Sequence, residues 1–273
     1  MSAHAPVAAF FDLDKTIIAT SSAFAFGKEF FKGGMITRQE AWEISLSKAQ
    51  YMLVGQSSEK MDTTRDTLAQ MVAGWEVEDI QRITRETLRE VVAPAIYAEA
   101  RELIAAHKNA CHHVIIISAS AKILVEPIAQ ELGVDTVVAT EMAVKDGRLT
   151  GEVTRYLKGG AKAEAVRQFA AEHHFDLDAS YAYSDSATDI PMLELVGHPV
   201  AVNPDRALKK HALANGWQAR TFKNPEPLIQ MPHAREVGVG AGVIAGVTAL
   251  AVAGVFIARA VGGKGSDDKR HSA

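Results

Sequence analysis

The sequence predicts an α/β protein: a doubly wound, Rossmann-like parallel sheet core, interrupted by an inserted all-helical cap and followed by a C-terminal transmembrane helix. Three observations carry this. Short apolar runs alternate with helix-period segments, as they do where strands are buried on both faces of a parallel sheet. One long stretch near the start breaks the alternation and holds no strand pattern. Near the end, the 22 residues 237–258 carry no charge, enough for a helix to cross a hydrocarbon layer of about 30 Å.

Taken in order, Val7–Asp12 (VAAFFD) reads as the first buried strand. Ser21–Val92 is the helical insertion. One of its helices is opened by the capping box Thr37-Arg38-Gln39-Glu40, whose hydroxyl and carboxylate satisfy two N–H groups that lack a partner inside the helix. Trp42, Met71 and Trp75 fall in this insertion, where they read as its packing. Helix patterns at Ile96–His107, Ala121–Leu132, Ala161–His173 and Pro204–Asn215 alternate with strand patterns at Val114–Ser118, Tyr181–Ser184 and Pro199–Val202. Met142–Val153 carries Asp146-Gly147 between two short alternating runs, the signature of a β-hairpin with a tight turn. The core is thus discontinuous, residues 1–20 and 93–222, around a cap at 21–92. A linker punctuated by Pro225, Pro227 and Pro232 spans 223–236, ahead of the membrane helix 237–258 and a polar tail 259–273.

Composition excludes several classes of function. With 273 residues and 48% of them hydrophobic, the chain can bury a sizeable core. Its 29 basic against 33 acidic side chains leave a net charge of -4, which offers nucleic acid no footprint. The single cysteine, Cys111, cannot form an internal disulfide, and no CxxC pair exists to hold zinc; lying just before a buried strand, it reads as packing. The pairs His112-His113 and His173-His174 read as surface residues. The opening residues lack the apolar core of an export signal. Together with the tail helix, this predicts a single-pass protein of the cell membrane with a cytoplasmic catalytic domain.

In open α/β sheets ligands bind beyond the carboxyl ends of strands, so the polar residues ending each apolar run matter most. The first run ends in Asp12-Leu13-Asp14-Lys15-Thr16, the second in Ser118, and a later one in Ser184-Asp185-Ser186-Ala187-Thr188-Asp189. Four acids, Asp12, Asp14, Asp185 and Asp189, would converge on one crevice. Such a cluster needs a cation, and its hard oxygen donors suit Mg²⁺. Lys162, after the Gly159-Gly160 turn, supplies the positive side chain that a phosphoryl group requires. Lys158 flanks the same glycines and reads as a solvated loop lysine.

FDLDKT, IIISAS, GGAK and SDSATD, in that order over Val7–Asn215, resemble the four motifs of the haloacid dehalogenase superfamily of phosphotransferases. The 21–92 insertion is similar to the helical cap of the subfamily that includes phosphoserine phosphatase, and SDSATDIPMLE with DGRLTGEV resembles its subfamily IB hydrolases. The resemblance implies a Mg²⁺-dependent phosphomonoester hydrolase. Asp12 would be the nucleophile that forms an aspartyl-phosphate, and Asp14 the general acid/base. Ser118 and Lys162 would hold the phosphoryl oxygens. The magnesium would lie among Asp12, the Asp14 backbone carbonyl and Asp185, with Asp189 completing the site.

Substrate is less constrained. Phosphoserine phosphatases carry a Glu nine residues beyond the nucleophile, where this chain has Ser21, so a small phosphorylated metabolite is expected, with phosphoserine among the candidates. The tail helix motivates a second reading, a membrane-associated phosphatase of lipid phosphates, and a third, a non-catalytic tethered scaffold. Gly238, Gly242 and Gly246 give the small-residue spacing that lets two membrane helices pack as a homodimer.

Overall fold

The computed structural model describes residues 5–37 and 69–225. The chain divides into Met1–Leu228 and Ile229–Ala273, and every described residue lies in the first part. The capping-box residues beyond Thr37, Trp42, the glycine-spaced segment 237–258 and the polar tail lie outside the described residues. Among those described, no helix is long and apolar enough to cross a membrane.

Seven strands form one sheet in the order β4-β3-β2-β1-β5-β6-β7. They are β1 (Ala8–Phe11), β2 (His113–Ala121), β3 (Thr136–Lys145), β4 (Arg148–Arg155), β5 (Tyr181–Ser184), β6 (His198–Val202) and β7 (Gln218–Arg220). All neighbours run parallel except β3 and β4. The helices are α1 (Ser22–Lys32), α2 (Val77–Thr87), α3 (Ala98–Asn109), α4 (Lys122–Leu132), α5 (Gly160–His173), α6 (Ile190–Leu193) and α7 (Arg206–Ala214).

The period of two along each strand sorts its side chains between two cores. Ala9, Phe11, Val114, Ile116, Tyr183 and Val200 face one side, packed with α3, α4 and the cap residues Phe26, Phe30, Ile80 and Ile83. Ala8, Phe10, Ile115, Ile117, Ala182 and Ala201 face the other, against Val166, Met192, Leu193 and Leu208 of α5, α6 and α7. Strands with apolar residues at every position are what such a three-layer arrangement demands. β1 lies at the centre, and the chain builds outward from it first through β2 and then, after returning, through β5 and β6. The crevice at this reversal, above β1 and β5, is where ligands bind in open sheets.

The described cap consists of α1 and α2, and the Phe30 ring meets Trp75 edge-on at 5.4 Å. A π-helical turn, Leu88–Val92, and a 3₁₀ turn, Ala93–Ala95, lead back to the core. The two chain segments joining cap to core lie side by side: Ala19 N–H donates to Ala95 O and Tyr97 N–H to Ile17 O. The cap also rests on the hairpin, since Gly74 N–H reaches Leu149 O, Leu149 N–H reaches Trp75 O and Val77 N–H reaches Gly147 O.

The structure corrects several details of the sequence reading. The hairpin is longer than Met142–Val153, because β3 starts at Thr136, pairs parallel with β2, and only then turns antiparallel to β4. β7 is an additional edge strand, three residues long and mostly exposed, too short and polar to show a period. Cys111 is exposed rather than packed, because it sits at positive φ in the turn closing α3. His112 and His113 are half-buried: His113 Nε2 lies 2.8 Å from Thr136 Oγ1, and His112 Nδ1 lies 2.8 Å from His107 Nδ1.

Candidate active site

The loop after β1 is built around one carbonyl. Leu13 O accepts from the N–H groups of Thr16, Ile17 and Ile18, and Lys15 takes a left-handed conformation, φ 61°, to close the turn. Asp12 is anchored just beyond the strand by its own N–H, which donates to Tyr183 O of β5 at 2.9 Å. The carboxylate is thereby held at the reversal point of the sheet, and it is only 7% exposed.

α5 delivers Lys162 to the same place. Gly159 precedes the helix at φ 56° and ψ -124°, a backbone geometry that glycine alone adopts without strain. Lys162, in the first turn and 3% exposed, donates to Asp12 Oδ1 at 2.6 Å and to Asp189 Oδ2 at 2.8 Å. Burial works against the ammonium, but the two carboxylates outweigh it and hold Lys162 above the usual lysine range. Burial pushes Asp12 up, and Lys162 pulls it back toward the charged form.

The β5 loop supplies the remaining acids. Asp189 is 2% exposed, and its Oδ2 also accepts from Ser184 Oγ at 2.8 Å. Asp205, at the start of α7, ties this loop to the next strand unit: its N–H donates to Asp185 O at 2.8 Å, and its Oδ2 accepts from Ala187 N–H at 2.9 Å. Asp185 is half-buried, and burial raises its carboxyl to about 6 despite the opposing pull of Lys15.

Asp14 is held differently. Its Oδ1 accepts from the backbone N–H of Ser22, the first residue of α1, at 2.8 Å, and its Oδ2 from Ser120 Oγ at 3.0 Å. Ser118, 1% exposed, lies on β2 next to a register irregularity, with its Oγ accepting from Ser120 N–H at 3.1 Å. An irregularity of this kind re-aims the side chains beside it.

Lys162 thus joins Asp12 and Asp189 by direct contact, with Ser118 on β2 and Asp14 on the loop after β1. The acids expected around magnesium are held in different ways. Each side-chain oxygen of Asp14 accepts one bond from a serine, and Asp189 Oδ2 is shared by Lys162 and Ser184. No cluster of three His, Cys, Asp or Glu side chains forms a ready-made metal site among the described residues. Asp12 and Asp185 are a fitting pair of side chains, beside the Asp14 backbone carbonyl expected with them. Both are desolvated carboxylates at adjacent strand ends, lifted by burial in a way that a divalent cation would relieve. Two protein carboxylates suit Mg²⁺, which keeps several of its waters.

Four bracing residues, Ser22, Ser120, Ser184 and Asp205, are given no role by the sequence alone. Ser120 and Ser184 sit within IIISAS and SDSATD, so their motifs marked them. Ser22 and Asp205 reach the site only through folding.

A sequence model of the haloacid dehalogenase-like hydrolases matches residues 9–194. A Mycobacterium tuberculosis protein named as a probable phosphatase is 46% identical over 258 residues, 93% of this chain and 89% of the relative. A phosphoserine phosphatase of the same organism is 34% identical over 242 residues, 87% of this chain and 79% of its own. Among solved structures, a protein of unknown function from Bordetella pertussis Tohama I aligns with a TM-score of 0.71 at 25% identity, covering 83% of this chain and all of its own.

Proposed function

The chain belongs to the haloacid dehalogenase-like hydrolase family and is a phosphatase, and from that premise we propose that it hydrolyses the phosphomonoester of a small metabolite through an aspartyl-phosphate on Asp12. One observation carries the reading: a carboxylate at the sheet's reversal point is held in a water-poor site by a buried lysine at 2.6 Å. Asp12 attacks phosphorus, and the bond to the leaving oxygen breaks as that oxygen takes the proton of Asp14. A water then gives its proton back to Asp14 and attacks the same phosphorus, releasing inorganic phosphate and restoring Asp12. Lys162 favours the anionic form of Asp12 and, with Ser118, offsets charge on the phosphoryl oxygens. Mg²⁺ held by Asp12 and Asp185 would supply a Lewis acid for those oxygens.

The half-buried Ser21 bears on the substrate. It stands ahead of α1, where its side chain makes no capping hydrogen bond, and it offers no anion for a substrate ammonium. A metabolite lacking a free amino group fits this position better than phosphoserine does.

A second reading rests on the uncharged segment 237–258, which favours a membrane-tethered enzyme facing the cytoplasm and acting on lipid phosphates. Both readings are tested by Mg²⁺-dependent phosphate release from sugar phosphates, nucleotides, phosphoserine and phospholipid monoesters. The full chain and a form ending at Glu236 are compared, with Asp12→Asn as control. Release from a soluble ester, unchanged by truncation and lost in Asp12→Asn, supports the first reading. A preference for lipid esters that depends on the tail supports the second, and release that survives Asp12→Asn overturns both.

A further inference from the structure

Asp14 is gripped by two donors, one from the cap and one from the core sheet. Oδ1 faces a backbone N–H, that of Ser22, which can only donate. Oδ2 faces the Ser120 hydroxyl, which can donate or accept. Ser120 is in turn the acceptor of the Ser22 hydroxyl at 2.8 Å, so the chain Ser22 O–H, Ser120 O–H, Asp14 Oδ2 runs in one direction. Ser22 is fully buried at the start of the cap helix α1, and Ser120 is half-buried at the end of β2. The carboxyl plane of Asp14 is therefore fixed from the cap on one side and from the core sheet on the other.

We infer that Ser120 is a positioning residue for proton transfer, fixing the Asp14 carboxyl plane from the core side. The inference rests on the proposed role of Asp14 as general acid/base. In the first step the Asp14 carboxyl gives its proton to the leaving oxygen as that oxygen's bond to phosphorus breaks. In the second it recovers a proton from the attacking water as the bond between phosphorus and Asp12 breaks, and the Ser120 hydroxyl keeps its orientation throughout. No proton is gained or lost over the cycle beyond those of the water consumed.

A leaving-group series separates this role from a merely structural one. Protonation matters most when the departing oxygen is basic, so p-nitrophenyl phosphate needs little help from an acid while phenyl phosphate needs more. The measurement is kcat/KM for substituted phenyl phosphates with the full chain, Ser120→Ala, Ser120→Thr and Ser22→Ala. Asp14→Asn sets the ceiling and Asp12→Asn is the control.

Ser120→Ala is expected to lower kcat/KM for phenyl phosphate about tenfold more than for p-nitrophenyl phosphate, part of the roughly hundredfold or larger effect of a general acid. Ser120→Thr, which keeps a hydroxyl, should restore most of the difference. Ser22→Ala, which keeps the backbone donor to Oδ1, should show a smaller effect in the same direction. Equal losses on all esters, or no loss, would overturn the role of Ser120 while leaving the phosphatase reading intact. Turnover that survives Asp12→Asn would overturn that reading instead.

Discussion

Lys162 Nζ meets Asp12 Oδ1 at 2.6 Å across 150 residues of sequence, and the same ammonium reaches Asp189 Oδ2 at 2.8 Å. All three groups are nearly closed to solvent. Besides its proposed part in catalysis the lysine is structural, because without it two carboxylates share a buried site with no counter-charge.

Replacing Lys162 with Met should abolish phosphate release and destabilise the fold by about 3–5 kcal/mol at neutral pH, the usual effect of removing one partner from a buried ion pair. The loss should depend on pH. Burial raises Asp12 above its unfolded value and the lysine that lowers it is gone, so the variant is most stable where Asp12 is protonated and loses stability as pH rises. Urea unfolding of both proteins at pH 5 and 7.5 checks this. A gap from wild type that is as wide at pH 5 as at 7.5 would contradict it.

The His107 imidazole lies beneath the sheet, with Nε2 2.7 Å from Tyr183 Oη and Nδ1 2.8 Å from His112 Nδ1. Burial lowers it to about 4, with the neighbouring His112 acting in the same direction. Because the folded value lies below the unfolded 6.5, its contribution is fully present above 6.5 and is lost as pH falls toward 4. The stability lost over that window should be on the order of 3 kcal/mol. In an NMR titration the His107 ring should stay neutral down to about pH 5. A midpoint near 6.5 for His107 would remove the prediction.

Much of this architecture is legible in the sequence because buried parallel strands have few alternatives. VAAFFD and VIIIS cannot sit on a surface, and the polar residues that end them must lie toward the carboxyl ends of strands. The partners of Asp14 are a different matter. Ser22 N–H reaches Oδ1 because α1 begins where the loop from β1 turns back on Leu13, a relationship of backbone geometry that residue type does not encode. The dual pairing of β3 was hidden for a related reason. Its parallel half is only partly buried, so Thr136-Val137-Val138 lacks the unbroken burial that marks β1 and β2.

Gly159 should tolerate no side chain. Alanine at φ 56° and ψ -124° would cost about 1–3 kcal/mol of backbone strain, and relief of that strain would rotate the first turn of α5. Because Lys162 sits in that turn, Gly159→Ala should lose activity more than tenfold while Gly216→Ala, at a positive-φ turn distant in sequence from the site motifs, loses only stability. Thermal unfolding together with phosphate release separates the two outcomes. Equal activity in both variants would show that α5 presents Lys162 without help from this glycine.

The hairpin's contact with the cap gives the last prediction. Gly151 has φ 86°, and a Cβ there would stand 3.0 Å from Ala73 Cβ and 3.3 Å from Ala69 O. The side chain would therefore meet the cap segment directly, at the edge where Gly74 and Leu149 are hydrogen-bonded. Gly151→Val should part the cap from β4, with the Asp12, Lys162 and Asp189 contacts left in place. Substrate enclosure suffers first, so kcat/KM for a cap-dependent ester should fall more than that for p-nitrophenyl phosphate. Limited proteolysis should also cut faster within residues 21–92. Were cleavage unchanged and both esters slowed equally, the hairpin would be bracing the sheet and not the cap.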